Sequence, residues 1–164
     1  MTAAVVVLCA ATLLVSLVAG FLFAFAVVVM PGIHELDDGA FLRAFQHMDG
    51  VIQRGDPVFG FIFVGSIVSV LAAVVLGAPA LVGLDRALLL TAGGVYLVGV
   101  VVPTGVTNVP LNNQLQRLDV GAQNAQQLAA ARQAFEPRWN RWNRIRTALA
   151  TGSAALMTTL LVTL

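Results

Sequence analysis

Four stretches of the chain stay apolar long enough for a helix to cross a bilayer, which takes about 20 residues. They cover residues 3–30, 58–77, 87–109 and 143–164, and the last begins among the aromatics of 139–146. The connections between them are unequal: 31–57, a short turn at 78–86, and 110–146, whose end grades into the fourth span. Both long connections carry helical periodicity of their own. In the first, Phe41, Leu42, Phe45, Met48 and Ile52 recur at helical spacing until "GDP" at 55–57 stops them. In the other, Leu111, Leu115 and Leu118 share a face, "DVG" at 119–121 breaks the helix, and 122–135 starts another. Pro137 then either opens a fresh helix or kinks a continuing one. The pattern predicts an all-α fold: an integral membrane four-helix bundle, with amphipathic helices in the two long connections, forming a single domain over residues 1–164.

Composition agrees. Of 164 residues, 59% are apolar and only 10% charged, where a soluble domain carries about 25% charged residues. The mean hydropathy is +0.89. The first thirty residues hold no charge. They lack the basic start of a signal peptide and exceed its apolar stretch of about 7–15 residues, so they read as a retained membrane helix. A net charge of +1 gives no electrostatic footprint for nucleic acid. Cys9 is the single cysteine, which leaves no internal disulfide and no zinc pattern. All nine basic residues are arginine, and eight fall in the two long connections. The positive-inside rule then predicts a multi-pass protein of the cell membrane, with long connections cytoplasmic and both termini outside.

Three polar stretches can carry chemistry. In "GVTNVPLNNQ" (105–114), Asn108 and Asn112 follow Thr104 at steps of four and fall on one helical face, beside prolines 103 and 110 that loosen the backbone. Such amides can hold a ligand, or simply cap the span and fasten it to a neighbour. In "EPRWNRWNRIRTA" (136–148), Trp139, Trp142, Asn143 and Arg146 occupy i, i+3, i+4 and i+7. That face can wall an aromatic pocket with an anion-stabilising end, or form an interfacial belt with arginines reaching toward lipid headgroups. In the stretch 30–50, His34, Glu35, Asp37 and Asp38 form no metal-ligand spacing, and first-turn acids of a helix explain the carboxylates. Gln46, His47 and Asp49 lie on the helix that follows, and His47 is a candidate base. No ionisable residue stands mid-span, which disfavours an ion-coupled carrier.

Together "FAFAVVVMPG" (23–32), "AFQHMDGVIQRGDPVF" (44–59), "VTNVPLNNQL" (106–115) and "FEPRWNRWNRIRTA" (135–148) resemble the anthrone oxygenase-like family of small four-span membrane proteins. The resemblance covers nearly the whole chain. Its most specific parts are "TNVPLNN" and the W-x-x-W-N-x-x-R arrangement. It implies oxidation of a hydrophobic polycyclic aromatic of the anthrone type with dioxygen, giving a quinone, without metal, flavin or other cofactor. Its pattern falls on Met30, Gln46, Asn108, Pro110, Asn112, Trp139, Trp142, Asn143 and Arg146, and passes over His34 and His47. Asp49 and Asp56 stand where many relatives are expected to have asparagine.

The reaction this implies needs a flat apolar slot, a base, and donors for a developing oxyanion. Trp139 and Trp142 are the candidate walls; Asn108, Asn112, Asn143 and Arg146 are the candidate donors; Asp49 or His47 is the candidate base. The expected partners are a hydrophobic aromatic small molecule and membrane lipids, with the oligomeric state open. The alternative is a non-enzymatic membrane module that holds a lipophilic ligand or a partner subunit.

Overall fold

The computed structural model describes residues 3–164, and every regular element in that range is helical. Four long helices are apolar enough to cross a membrane: α1 (Ala3–His34), α3 (Pro57–Gly77), α4 (Gly83–Gln116) and α5 (Ala125–Thr163). The amphipathic α2 (Asp38–Gln53) sits in the first long connection, and a 3-10 turn, Val120–Ala122, lies before α5. Asp37 caps α2 by accepting from Ala40 N at 2.8 Å, and Asp56 caps α3 by accepting from Phe59 N at 2.8 Å. Short acceptors suit both places, since the first turn of a helix leaves backbone donors unpaired.

The spans run on further than the apolar pattern alone indicates. The helix expected around Leu111–Leu118 is the end of α4, not a separate piece. The helix expected over 122–135 continues through Pro137 into the fourth span, as one helix of 39 residues. At 1.5 Å per residue α5 is about 58 Å long, roughly twice the hydrocarbon thickness, so its first half projects beyond the bilayer. Asn124 starts it with a reciprocal capping box with Gln127.

Three π-helical segments interrupt the spans: Phe25–Val29 in α1, then Leu97–Val101 and Thr104–Asn108 in α4. Each lies just before Pro31, Pro103 or Pro110. A proline leaves the carbonyl four residues back without its donor, and a widened turn absorbs the mismatch.

In the bundle α1 packs on α3 and α5, and α4 packs on α5 and α3. Small residues allow close approach: a Cβ on Gly93 would stand 2.8 Å from Val74 Cγ2. Buried hydroxyls fasten the spans, with Ser153 Oγ donating to Ala92 O at 2.9 Å and Ser66 Oγ 2.5 Å from Tyr96 Oη. Two hydrophobic cores result. One lies within the bundle, around Leu8, Val15, Val70, Tyr96, Val100 and Met157. The other lies at the end where both long connections meet, where α2 folds over α4 and α5 around Phe41, Leu42, Phe45, Leu111, Leu115 and Trp139. We call this end the head.

Candidate functional site

A cavity of about 510 Å³ lies between the two cores, touched by Val18, Leu22 and Val100 of the bundle and by Phe45 and Trp139 of the head. Its walls are largely apolar, with six aromatic rings among them. Phe21, Phe25, Phe45, Phe59, Phe63 and Trp139 all face it, and neighbouring rings follow one another closely. Phe45 to Trp139 is 5.2 Å between centroids, Trp139 to Phe25 5.7 Å, Phe25 to Phe21 4.9 Å, and Phe21 to Phe59 5.4 Å.

Polar groups gather at two places on this apolar wall. At the head end, Asp49 is 5% exposed and accepts from three amides. Asn112 Nδ2 donates to Oδ1 at 2.7 Å, while Gln116 Nε2 at 2.8 Å and Gln53 Nε2 at 3.1 Å donate to Oδ2. No salt bridge reaches this carboxylate among the described residues. Asn112 in turn accepts from Trp139 Nε1 at 2.9 Å, which fixes the amide and the indole together.

Deeper in the bundle stands Arg146, 5% exposed and without an acidic partner among the described residues. Its Nη1 donates to Thr104 Oγ1 at 2.8 Å and its Nη2 to Asn143 Oδ1 at 3.2 Å. Thr104 Oγ1 is itself fixed by donating to Val100 O at 2.7 Å. Asn143 Nδ2 donates to Leu22 O at 3.0 Å, tying α5 to α1. Arg146 Nε has no partner, nor has either side-chain atom of Asn108, which is 2% exposed. Both residues line the cavity. A buried unpaired amide costs about 1–3 kcal/mol, and a buried unpaired charge costs more. Groups left in this state beside a cavity call for an explanation that the protein's own packing does not supply.

The residues singled out by the chain pattern divide accordingly. Asp49, Asn108, Asn112, Trp139, Asn143 and Arg146 all line the cavity. Asn112 and Asn143 each use a donor and an acceptor on the protein, whereas Asn108 uses neither and Arg146 keeps Nε free, so the donor set narrows to Asn108 and Arg146. Trp142 is not among the lining residues, although spacing put it on the same face. On a helix, i+4 and i+7 fall nearer the direction of i than i+3 does, and Trp142 lies off that edge. Its expected place is taken by phenylalanines of α1, α2 and α3, which apolar patterning cannot distinguish from lipid-facing ones. His47 is exposed on the outer side of α2 and faces away from the cavity. Gln46 is also outside it; its Nε2 donates to Leu115 O at 2.7 Å and Leu118 O at 2.9 Å, capping the end of α4. Met30 belongs to the head core.

Gln53 and Gln116 were not among the expected residues, because glutamines at helix ends carry no signal until a carboxylate is seen between them. A second cluster, outside the cavity, was also not foreseen. His34 Nδ1 donates to Glu136 at 2.6 Å, and Arg132 Nε donates to the same carboxylate at 2.7 Å. Arg132 also reaches Asp38 at 3.1 Å and lies over the Phe41 ring at 4.4 Å. These contacts latch the end of α1 and the start of α2 to α5. Among the described residues no group of three or more histidine, cysteine or acidic side chains is placed to hold a metal.

No curated protein and no solved structure matches the chain. A family model described as anthrone oxygenase matches residues 48–156, more than half of the chain and the part that carries Asp49, the three cavity asparagines of α4, Trp139 and Arg146; the chain belongs to the anthrone oxygenase family.

Proposed function

We propose that the cavity oxidises a hydrophobic polycyclic aromatic of the anthrone type with dioxygen, without a cofactor, giving the quinone and water. The observation that carries this reading is the pairing, in one ring-walled cavity, of a buried carboxylate with unpartnered donors on Arg146 and Asn108. An anthrone has an acidic methylene across the central ring from a carbonyl. Its planar rings suit a cavity lined by Phe25, Phe45 and Trp139. The methylene faces Asp49, and the carbonyl oxygen faces Asn108 and Arg146.

Asp49 takes a methylene proton, and the negative charge passes to the carbonyl oxygen, where Arg146 and Asn108 stabilise it. The electron-rich enolate donates to dioxygen, and a carbon–oxygen bond forms at the former methylene. The peroxide takes up the proton held by Asp49, its O–O bond breaks, and the second C–H proton leaves with hydroxide as water. One oxygen atom stays as the new carbonyl and the other becomes water, so the four-electron oxidation of CH₂ to C=O balances the reduction of O₂. Gln53, Asn112 and Gln116 hold the carboxylate in place throughout.

In this reading the head faces the cytoplasm, supported by the eight arginines in the long connections. The experiment is oxygen uptake by purified protein supplied with anthrone, with quinone formation followed by absorbance. Asp49→Asn and Asn108→Ala are expected to remove the rate above buffer. Unchanged rates in both variants would refute the reading, and ligand binding without oxygen uptake would leave a binding module in its place.

A further inference from the structure

The two ends of the cavity differ in how they meet the surroundings. Four of its lining residues are exposed: Leu17 at 45%, Phe21 at 39%, Val109 at 42%, and Gln53. Gln53 and Val109 belong to the head end, where Val109 stands one turn before Asn113. That end is strapped: Gln53 Nε2 donates both to Asn113 Oδ1 at 2.9 Å and to Asp49 Oδ2 at 3.1 Å. The bond to Asn113 crosses from α2 to α4, while the bond to Asp49 stays within α2.

Leu17 and Phe21 belong to α1, inside a run with no charged residue before Glu35 and only one histidine. Their neighbours across the cavity are Phe59, Ile62 and Phe63 of α3, all partly buried. The two antiparallel helices touch closely further along, where a Cβ on Gly65 would lie 3.3 Å from Leu14 Cδ1. Toward the head they are bridged by the Phe21 and Phe59 rings at 5.4 Å. Between these two contacts Leu17 and Phe21 both line the cavity and stand exposed, and both are apolar. At this depth of the bundle the surroundings are acyl chains, not water.

We infer that the cavity opens to the bilayer here, through a window between α1 and α3, and that the ligand enters by it, with Phe21 and Phe59 as the residues that set what passes. The inference deepens the proposed function by fixing the state of the substrate: it is membrane-dissolved and electrically neutral on entry. A fixed anion does not cross this window, because a charge in the hydrocarbon region costs several kcal/mol. Yet the unpartnered polar groups on its wall, among the described residues, belong to a guanidinium and an amide. The substrate class that satisfies both conditions is a neutral weak carbon or oxygen acid, which becomes an anion only after entry, when Asp49 takes its proton and Arg146 receives the charge. The substrate is therefore delivered by partitioning, and the reaction that supplies it must release an uncharged aromatic into the membrane.

The test uses Trp139 as the reporter. In Trp142→Phe protein reconstituted in phosphatidylcholine vesicles, Trp139 is the sole indole, and its quenching on mixing measures arrival of a ring system. Anthrone is expected to quench it, and 2-anthracenesulfonate to do so at least ten-fold more slowly. Phe21→Leu and Phe59→Leu, and the larger change Phe21→Ala, are expected to speed anthrone arrival at least three-fold. Asn113→Ala, which removes the strap without touching Asp49, is expected to leave anthrone arrival unchanged while admitting the sulfonate. Equal rates for the two probes, or faster anthrone arrival in Asn113→Ala with none in the phenylalanine variants, would overturn the window and make the head end the entrance. Anthrone arrival as expected but without oxygen uptake supports the window and removes the oxidation, so the two readings fail separately.

Discussion

Replacing Arg146 by methionine separates a ligand-binding arginine from a structural one. In the unliganded protein the guanidinium makes two hydrogen bonds, to Thr104 and Asn143, and none to an acid. At about 1.5–3 kcal/mol for a hydrogen bond to a charged group, their loss removes about 3–6 kcal/mol. Against this, methionine abolishes a charge that is 5% exposed in an apolar bundle. Insertion measurements value that burial at about 2.5–3.5 kcal/mol, and the unpaired Nε adds about 1–3 kcal/mol. The terms nearly cancel, so unliganded Arg146→Met is expected to unfold within about 2 kcal/mol of the parent protein. The ligand loses a charge-assisted bond of about 1.5–3 kcal/mol, which is roughly a 10- to 100-fold weaker Kd. Thermal unfolding in a fixed detergent gives the first quantity, and titration of Trp139 fluorescence with anthrone gives the second. Destabilisation by more than about 5 kcal/mol with unchanged affinity would show that Arg146 is a structural clamp, and would sink the assignment of its charge to the ligand.

Three further outcomes follow from the same geometry. Asp49→Asn should lower anthrone turnover by about 10²–10⁴-fold, the usual worth of a positioned base, as measured by oxygen uptake; near-parental turnover would place the base elsewhere. Glu136→Ala should destabilise the head by about 1.5–3 kcal/mol through lost bonds to His34 and Arg132, read as faster hydrogen exchange in α2, with the bundle spans unaffected. Gly93→Ala forces a Cβ to 2.8 Å from Val74 Cγ2 and should lower stability by about 1–3 kcal/mol in thermal unfolding, without changing anthrone affinity.

The bundle was legible because lipid imposes a simple rule: long uncharged runs must be helices. The polar side of the site was legible for a related reason. Asn108, Asn112, Asn143 and Arg146 are costly to bury, so they stand out against apolar spans at helical spacing. The aromatic side was not, since Phe21 and Phe59 read the same whether they face acyl chains, a neighbouring helix or a cavity. Asp49 was visible as a candidate, but its three amide donors come from α2 itself and from the end of α4. Only the fold of the head brings those together. The continuity of α4 and α5 through Pro110 and Pro137 was likewise hidden, because a proline permits either a stop or a widened turn, and packing decides between them.

The cavity's position between two hydrophobic cores divides the labour of the molecule. The bundle supplies the deep cation and most of the ring wall, while the head brings the carboxylate proposed as the base. A ligand spanning both acts as a third piece of packing that joins them. Its binding free energy must then appear as added resistance of α2 to local opening, growing with ligand concentration as RT ln(1 + [L]/Kd). Occupancy of a membrane-embedded slot is thus reported at the surface, in how long the head stays closed.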